Sequence, residues 1–339
     1  MKALVLVKTG AIEKAFELRE VAVPEPRENE VLIKVEAFGL NYADGMAIKG
    51  QYQDAPPLPS ILGYDVCGRI VAIGSKVTNL SSGMRVTAMT RFGGYAEFAV
   101  TDARAVVEID EDTSVTDALS LATQAATAFY CTRLATTIFK EDRVIVTAAA
   151  GGVGSLIVQI AKQQGAKVYG IVSTEAKGEI ARSVGVDVIL NRSKGDVFQQ
   201  YQSMEGKKAI DIMFDSAGGS YIRKAIGNLA PGGRVVGFGA AQSTHATNIF
   251  KMLKFAVSFG LFHPAPFLMK SHSFTGVNML QLADYKPEVV AQCLHAGVDM
   301  YRSGLLKPLP GKVFGVDEVV LAHRHVESGT ISGKIAITW

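Results

Sequence analysis

The stretch Arg143-Val-Ile-Val-Thr-Ala-Ala-Ala-Gly-Gly-Val-Gly154 decides how this 339-residue chain folds. Val144 to Thr147 is a β-branched run of the kind a buried strand uses, small residues follow, and Ser155 to Gln164 repeats its apolar positions at helical spacing. The pattern is strand, glycine turn, helix. With no Cβ at Gly151, Gly152 and Gly154, a pyrophosphate can reach the backbone, where a helix start offers free N–H groups and the positive end of its dipole. Ile157 stands where the full G-x-G-x-x-G fingerprint has its third glycine, so the turn alone also fits a close strand–helix contact.

The next segment discriminates between these readings. Lys167 to Val172 is a second strand ending about 20 residues beyond the glycines, the place where an NAD site carries Asp or Glu. Here the strand ends at Ser173. That hydroxyl, Lys177 one helical turn further on and Arg192 at the end of the following strand form a candidate pocket for a 2′-phosphate. The expected cofactor is therefore NADPH, not NADH. Glu175 is the counter-evidence, an acid able to bind ribose hydroxyls, but it lies past the strand end and is expected to support the first turn of the next helix.

A chain of this length exceeds one ordinary core and predicts two domains. Its hydrophobic fraction of 48% and 34 glycines fit a soluble α/β enzyme rich in turns. A formal charge of +3 with no dense Lys/Arg block argues against a nucleic-acid partner. Cys67, Cys131 and Cys293 are isolated, with no C-x-x-C, which fits neither a disulfide framework nor a structural zinc lobe and points to a reducing, cytoplasmic setting. No segment reaches membrane-spanning length; the apolar tract 255–269, broken by Gly260, His263, Pro264 and Pro266, fits a membrane-touching or partner-facing loop, but the expected reading is a buried domain or dimer contact.

Up to about residue 123 the chain carries short β-type runs without helices: Ala3–Val7, Val31–Phe38, Gly68–Ile73, Met84–Ala88 and Tyr95–Val100. A helical pattern then runs from Asp117 to Leu134, and beyond the glycine turn strands and helices alternate as far as Phe274–Val277. Such alternation predicts a parallel sheet with crossover helices on both faces. A long helix within Pro287–Arg302 leads back, and the strands Val313–Gly315 and Ile335–Thr338 are expected to rejoin the first domain.

Four stretches now carry a resemblance: Gly39-Leu-Asn-Tyr-Ala-Asp44, Gly63-Tyr-Asp-Val-Cys-Gly-Arg-Ile-Val-Ala-Ile-Gly74, Gly93-Gly-Tyr-Ala-Glu-Phe98 and Ala148-Ala-Ala-Gly-Gly-Val-Gly154. Over nearly its whole length the chain resembles the medium-chain dehydrogenase/reductase superfamily, and within it the zinc-free quinone oxidoreductases, which include zeta-crystallin and the vesicle amine transport protein homologues. The resemblance implies an α/β fold, with a Rossmann-type doubly wound sheet over residues 124–279 and a mainly β, GroES-like catalytic domain over 1–123 and 280–339. Zinc members of the superfamily carry a cysteine where Asn41 stands and Gly-His-Glu where Gly63-Tyr64-Asp65 stands, and no four-cysteine lobe follows Met89 here. Asn and Tyr are not usual zinc ligands, so no metal is expected.

The resemblance also implies a site. Asn41, Tyr52 and Thr127 match residues lining the nicotinamide and substrate cleft: Asn41 to bond a substrate oxygen, Tyr52 to donate to it, Thr127 to fix the nicotinamide. Cofactor contacts are expected from Tyr42, Asp44, Thr127, Ala150, Gly151, Gly152, Val153, Gly154, Ser173, Lys177, Arg192, Ser216, Phe238, Gly239, Ala240, Thr275, Gly276, Val277 and Lys334. The chain departs from the family pattern at Met46, often aromatic, at Arg192, often tyrosine, and at Gly329, where some members aim an arginine at the 2′-phosphate. Three functions are compatible with these residues: an NADPH-dependent reductase of quinones or α,β-unsaturated carbonyls, an NADPH-binding protein with little catalysis, and an enoyl-thioester reductase using Lys251, Lys254 and Lys270 as a basic mouth. A homodimer is expected through the sheet edge at Ser273–Val277, which is too apolar to stay bare.

Overall fold

The computed structural model describes residues 1–240, 249–260 and 263–339, apart from the side chains of 249, 251 and 252. The chain divides into two units, Met1–Ala126 with Met279–Gly304 and Pro308–Trp339, and Thr127–Asn278 with Leu305–Lys307.

The first unit opens with β1 (Lys2–Leu6), β2 (Phe16–Glu20), β3 (Glu30–Leu40), β4 (Ser60–Ile61), β5 (Asp65–Ile73), β6 (Arg85–Met89), β7 (Phe98–Asp102) and β8 (Val106–Glu108). β3 is its spine: Val31, Ile33, Phe38 and Leu40 are buried, and the strand pairs antiparallel with both β5 and β7. Strand β2 escapes a hydrophobicity reading because Glu17, Arg19 and Glu20 face solvent, and its register with β1, Leu4 opposite Leu18, holds it in place. The expectation of no helix before residue 123 is corrected at Tyr42–Ile48. There the Asp44 carboxylate accepts the Asn41 N–H at 2.7 Å, a capping arrangement that the Asn-x-x-Asp spacing already encodes.

The helical pattern expected from Asp117 to Leu134 is not one regular helix. Ser120–Ala125 and Tyr130–Leu134 are π-helical, which swings Thr123 off the register that an α-helix would give it.

The second unit is one parallel sheet of β9 (Arg143–Thr147), β10 (Lys167–Val172), β11 (Val188–Asn191), β12 (Ile210–Asp215), β13 (Leu229–Gly237) and β14 (Ser273–Gly276), in the order β11-β10-β9-β12-β13-β14. Every pairing in it is parallel, so a crossover must join each strand to the next, and the helices Gly152–Gln163, Glu175–Ser183, Val197–Glu205 and Ser220–Asn228 provide four of them. The order reverses between β9 and β12. This is the dinucleotide-binding topology, with its crevice outside the carboxyl ends of those two strands. Leu305–Lys307 joins this unit because Gln159 bonds Lys307 through both ends of its amide, at 2.9 and 2.8 Å, and Gln163 donates to the Leu305 carbonyl.

The chain then returns to the first unit as β15 (Lys312–Gly315) and β16 (Ile335–Thr338). β16 pairs antiparallel with β3, Ile335 opposite Leu40, so the residues one step beyond, Lys334 and Asn41, meet at the strand ends.

In the single chain the described part of the tract 255–269 is not buried as a domain contact would be, while the expected dimer contact concerns a second copy. Phe255 and Phe259 do pack edge to face, with ring centroids 5.1 Å apart, but the helices Ile249–Ser258 and Pro264–Lys270 leave Phe250, Leu253, Val257, Leu268 and Met269 exposed. Residues 261 and 262 and the Lys251 side chain lie outside the described residues.

Candidate active site

In the second unit the glycine turn is built as its sequence requires, but Gly154 serves packing more than approach. A Cβ there would lie 2.3 Å from the Ala148 carbonyl oxygen, so the helix can start this close to the strand only with glycine. Ala148 itself takes the left-handed conformation, φ 49°, and its carbonyl accepts the Gly151 N–H at 2.7 Å. The helix begins at Gly152, leaving its first N–H groups for a guest beside Ala150, Gly151, Gly152 and Val153.

Ser173 follows the end of β10, and the helix Glu175–Ser183 brings Lys177 near Arg192. Burial first, and then the Arg192 charge, lower the Lys177 pKa. Neither cation makes an ion pair among the described residues. Two cations so placed are residues that could hold an anion. Glu175, the only acid near the ribose position in the sequence reading, is instead paired with Lys194.

Other expected cofactor residues gather at the carboxyl ends of β12, β13 and β14. Ser216 donates its N–H to Thr147 Oγ1 at 2.7 Å, which ties the end of β12 to the end of β9. Phe238 donates its N–H to the Asp215 carbonyl at 2.8 Å, and Gly239 lies so close to Ser216 that a Cβ would meet its carbonyl oxygen at 2.8 Å. Ala240 follows, and Thr275, Gly276 and Val277 lie at the end of β14, where the Val277 N–H reaches the Gly237 carbonyl at 2.8 Å. Thr127 is the first residue of this unit and is half-buried.

In the first unit the strand ends create a buried charge cluster. Lys334 Nζ lies 2.7 Å from Asp65 Oδ2, with both side chains fully buried, and donates to Asn41 Oδ1 at 2.9 Å and Thr123 Oγ1 at 3.1 Å. Asn41 Nδ2 donates in turn to Asp65 Oδ1. Gly39 makes room, since a Cβ there would lie 2.2 Å from Asp65 Oδ2 and 2.3 Å from Lys334 Cε. Lys334 was expected as a cofactor contact, and here its ammonium is engaged within the unit by Asp65, Asn41 and Thr123. Asp44 also differs from the expected cofactor contact, being fully buried under the helix it caps. Tyr42, two positions earlier, is exposed.

Burial pushes the Asp44 carboxyl up to about 7, with Asp65 adding to the rise and the Asn41 N–H and Lys334 opposing it. Tyr52 packs edge to face on Tyr64 at 6.1 Å, and burial raises its pKa to about 12, so it is a hydrogen-bond donor and a poor acid. Behind them, Tyr95 contacts His323 at 3.3 Å, and burial drives that imidazole down to about 3.

Asp65 and Thr123 are the site residues that sequence reasoning missed. The signal for the first was present: Asp65 and Lys334 are lone opposite charges, each heading an apolar run. Thr123 had none, because the π-helical turn that aims it has no sequence mark. Among the described residues, no group of three or more His, Cys, Asp or Glu is placed to hold a metal ion.

Residues 27–111 match the alcohol dehydrogenase GroES-like domain family, and residues 152–295 the zinc-binding dehydrogenase family. Quinone oxidoreductase of Homo sapiens is 27% identical over 339 residues, covering 99% of this chain and 97% of its own. The chain belongs to the quinone oxidoreductase family of medium-chain dehydrogenases/reductases. Among solved structures of this fold, a mycobacterial protein complexed with NADPH superposes with a TM-score of 0.86 at 25% identity, over 100% of both chains. The CurK enoyl reductase superposes with a TM-score of 0.84 at 25% identity, over 99% of this chain and 98% of its own. As a member of the family the chain is an oxidoreductase.

Proposed function

We propose that the protein is a zinc-independent, NADPH-dependent reductase that passes hydride to a quinone or an α,β-unsaturated carbonyl. The observation that carries this reading is the Lys334–Asp65–Asn41 cluster, in which Asn41 and Asp65 stand where the resembling zinc enzymes have the cysteine and the Gly-His-Glu. Asp65 has its charge matched by an ammonium, and Asn41 presents an amide, so these positions offer hydrogen bonds to a substrate and poor coordination to a metal. Without a Lewis acid, the substrate must accept hydride readily by itself.

NADPH fits the second unit: the free N–H groups at Gly152 suit a pyrophosphate, and Lys177 with Arg192 suits a 2′-phosphate. When bound, it supplies the hydride. Asn41 has a second Nδ2 hydrogen beyond the one given to Asp65, and the Lys334 ammonium on its carbonyl end polarises the amide, strengthening that donor. Its role is to hold the oxygen on which negative charge develops. Tyr52 adds a neutral hydroxyl donor.

The test is Asn41→Ala. Both kcat and kcat/KM should fall together, by at most on the order of 3 kcal/mol, while NADPH affinity holds. Undiminished turnover would assign Asn41 to the charge cluster alone. Similarity to the CurK enoyl reductase favours a second substrate class, so turnover should be compared among a quinone, an enone and an enoyl thioester. NADPH binding without turnover of any of them would leave the non-catalytic reading.

A further inference from the structure

We propose that the outward face of the helices Ile249–Ser258 and Pro264–Lys270 docks on an anionic phospholipid bilayer. A helix packed on a soluble domain normally turns polar residues to water, and this one does the reverse. Phe255 and Phe259 anchor the inner side of the first helix over Gly218, where a Cβ would touch both rings at 3.4 Å. Phe250, Leu253 and Val257, at helical spacing on the other side, are 80%, 63% and 66% exposed. In the second helix Leu268 and Met269 are 84% and 82% exposed. Apolar surface this concentrated marks a contact with something else.

Charge identifies the partner. From Ser216 to Ala283 the sequence contains Arg223, Lys224, Arg234, Lys251, Lys254 and Lys270 and no Asp or Glu. Arg234 and Lys224 are paired with Asp142 and Asp196. Arg223, Lys254 and Lys270 are exposed and make no ion pair among the described residues. Arg223 packs against Gly260, at the end of the first apolar helix. A second copy meeting this face about a twofold axis would set these cations against their own images, with no carboxylate to offset them. A surface of anionic headgroups over hydrocarbon satisfies both the cations and the apolar side chains. No helix among the described residues is long and apolar enough to cross a membrane, so the contact is interfacial.

The inference goes beyond the reductase reading, and its test uses no turnover. The intact protein is sedimented with phosphatidylcholine vesicles and with vesicles that also contain phosphatidylserine. It should bind the second kind, and weaken as salt rises. Lys254→Ala and Lys270→Ala should each reduce partitioning about fivefold, and together about twenty-five-fold. Leu253→Glu with Leu268→Glu should abolish it while NADPH affinity and the unfolding midpoint hold, since both side chains already face water. Three results would overturn the proposal: no binding to the anionic vesicles, equal binding to both kinds, or a dimer that Leu253→Glu dissociates in a protein that ignores vesicles.

Discussion

Replacing Lys334 by methionine keeps most of the side-chain volume and removes the charge at the centre of the first unit. Asp65 would then lose the ammonium at 2.7 Å while remaining fully buried, and Asn41 and Thr123 would lose a donor at 2.9 and 3.1 Å. Removing one partner of a buried pair costs about 3–5 kcal/mol, because the other is left uncompensated. At a urea slope of about 2–3 kcal/mol/M, the midpoint for this unit should fall by about 1–2.5 M. The single tryptophan, Trp339, follows β16 and lies 6.0 Å from Phe38 by ring centroids, so its fluorescence reports this unit. Asp65→Leu combined with Lys334→Met should recover most of the loss, since an apolar pair in place of a buried ion pair is often neutral or stabilising. An unchanged midpoint in the single variant, or a double variant no better than the single, would refute the reasoning.

Lys177→Ala with Arg192→Ala should weaken NADPH binding by about 1.5–3 kcal/mol per lost charge-assisted bond and leave NADH unchanged; equal losses by calorimetry would remove the phosphate pocket. Asp44, held up to about 7 against an ordinary 3.8, favours the fold while protonated. Its contribution should be complete below about pH 4 and lost as pH rises through 7, so Asp44→Asn should cancel up to about 4 kcal/mol of pH dependence in urea unfolding across that window. Parallel curves for the two proteins would contradict the raised pKa. The outer edge of β14 should pair with a second copy, and sedimentation at micromolar concentration finding only monomer would end that expectation.

The strands of the second unit were legible because a parallel sheet buried on both faces writes itself as continuous β-branched runs, as in Arg143–Thr147 and Lys167–Val172. The first unit was harder to read. β2 shows solvent almost every side chain and exists because β1 needs a partner, and the helix Tyr42–Ile48 is too short for periodicity to declare it. At the site, residue types were legible and their partners were not. Asn41 and Lys334 were both singled out, yet what joins them is the register of β16 on β3, which two segments about 300 positions apart in sequence do not encode locally. Lys334 was expected among the cofactor contacts from the resemblance alone, and nothing local in its sequence marks it as buried. Here the absence of a Cβ at Gly39 opens the space that buries it.

That burial needs a reason, because the pair is not the most stable filling for its space. If an apolar pair can replace Asp65 and Lys334 at little cost to folding, stability alone does not account for them. The ammonium's other bond, to the carbonyl oxygen of Asn41, supplies an account: it fixes which end of the amide faces outward and deepens the positive charge on its N–H hydrogens. Asp65 holds the Nδ2 end from the other side, so the amide cannot flip. The double variant Asp65→Leu, Lys334→Met should therefore fold with near-native stability and still lose kcat, while binding NADPH normally. Full turnover in that stable double variant would show that the cluster is only a way of closing the strand ends, and that whatever Asn41 does in catalysis it does unaided.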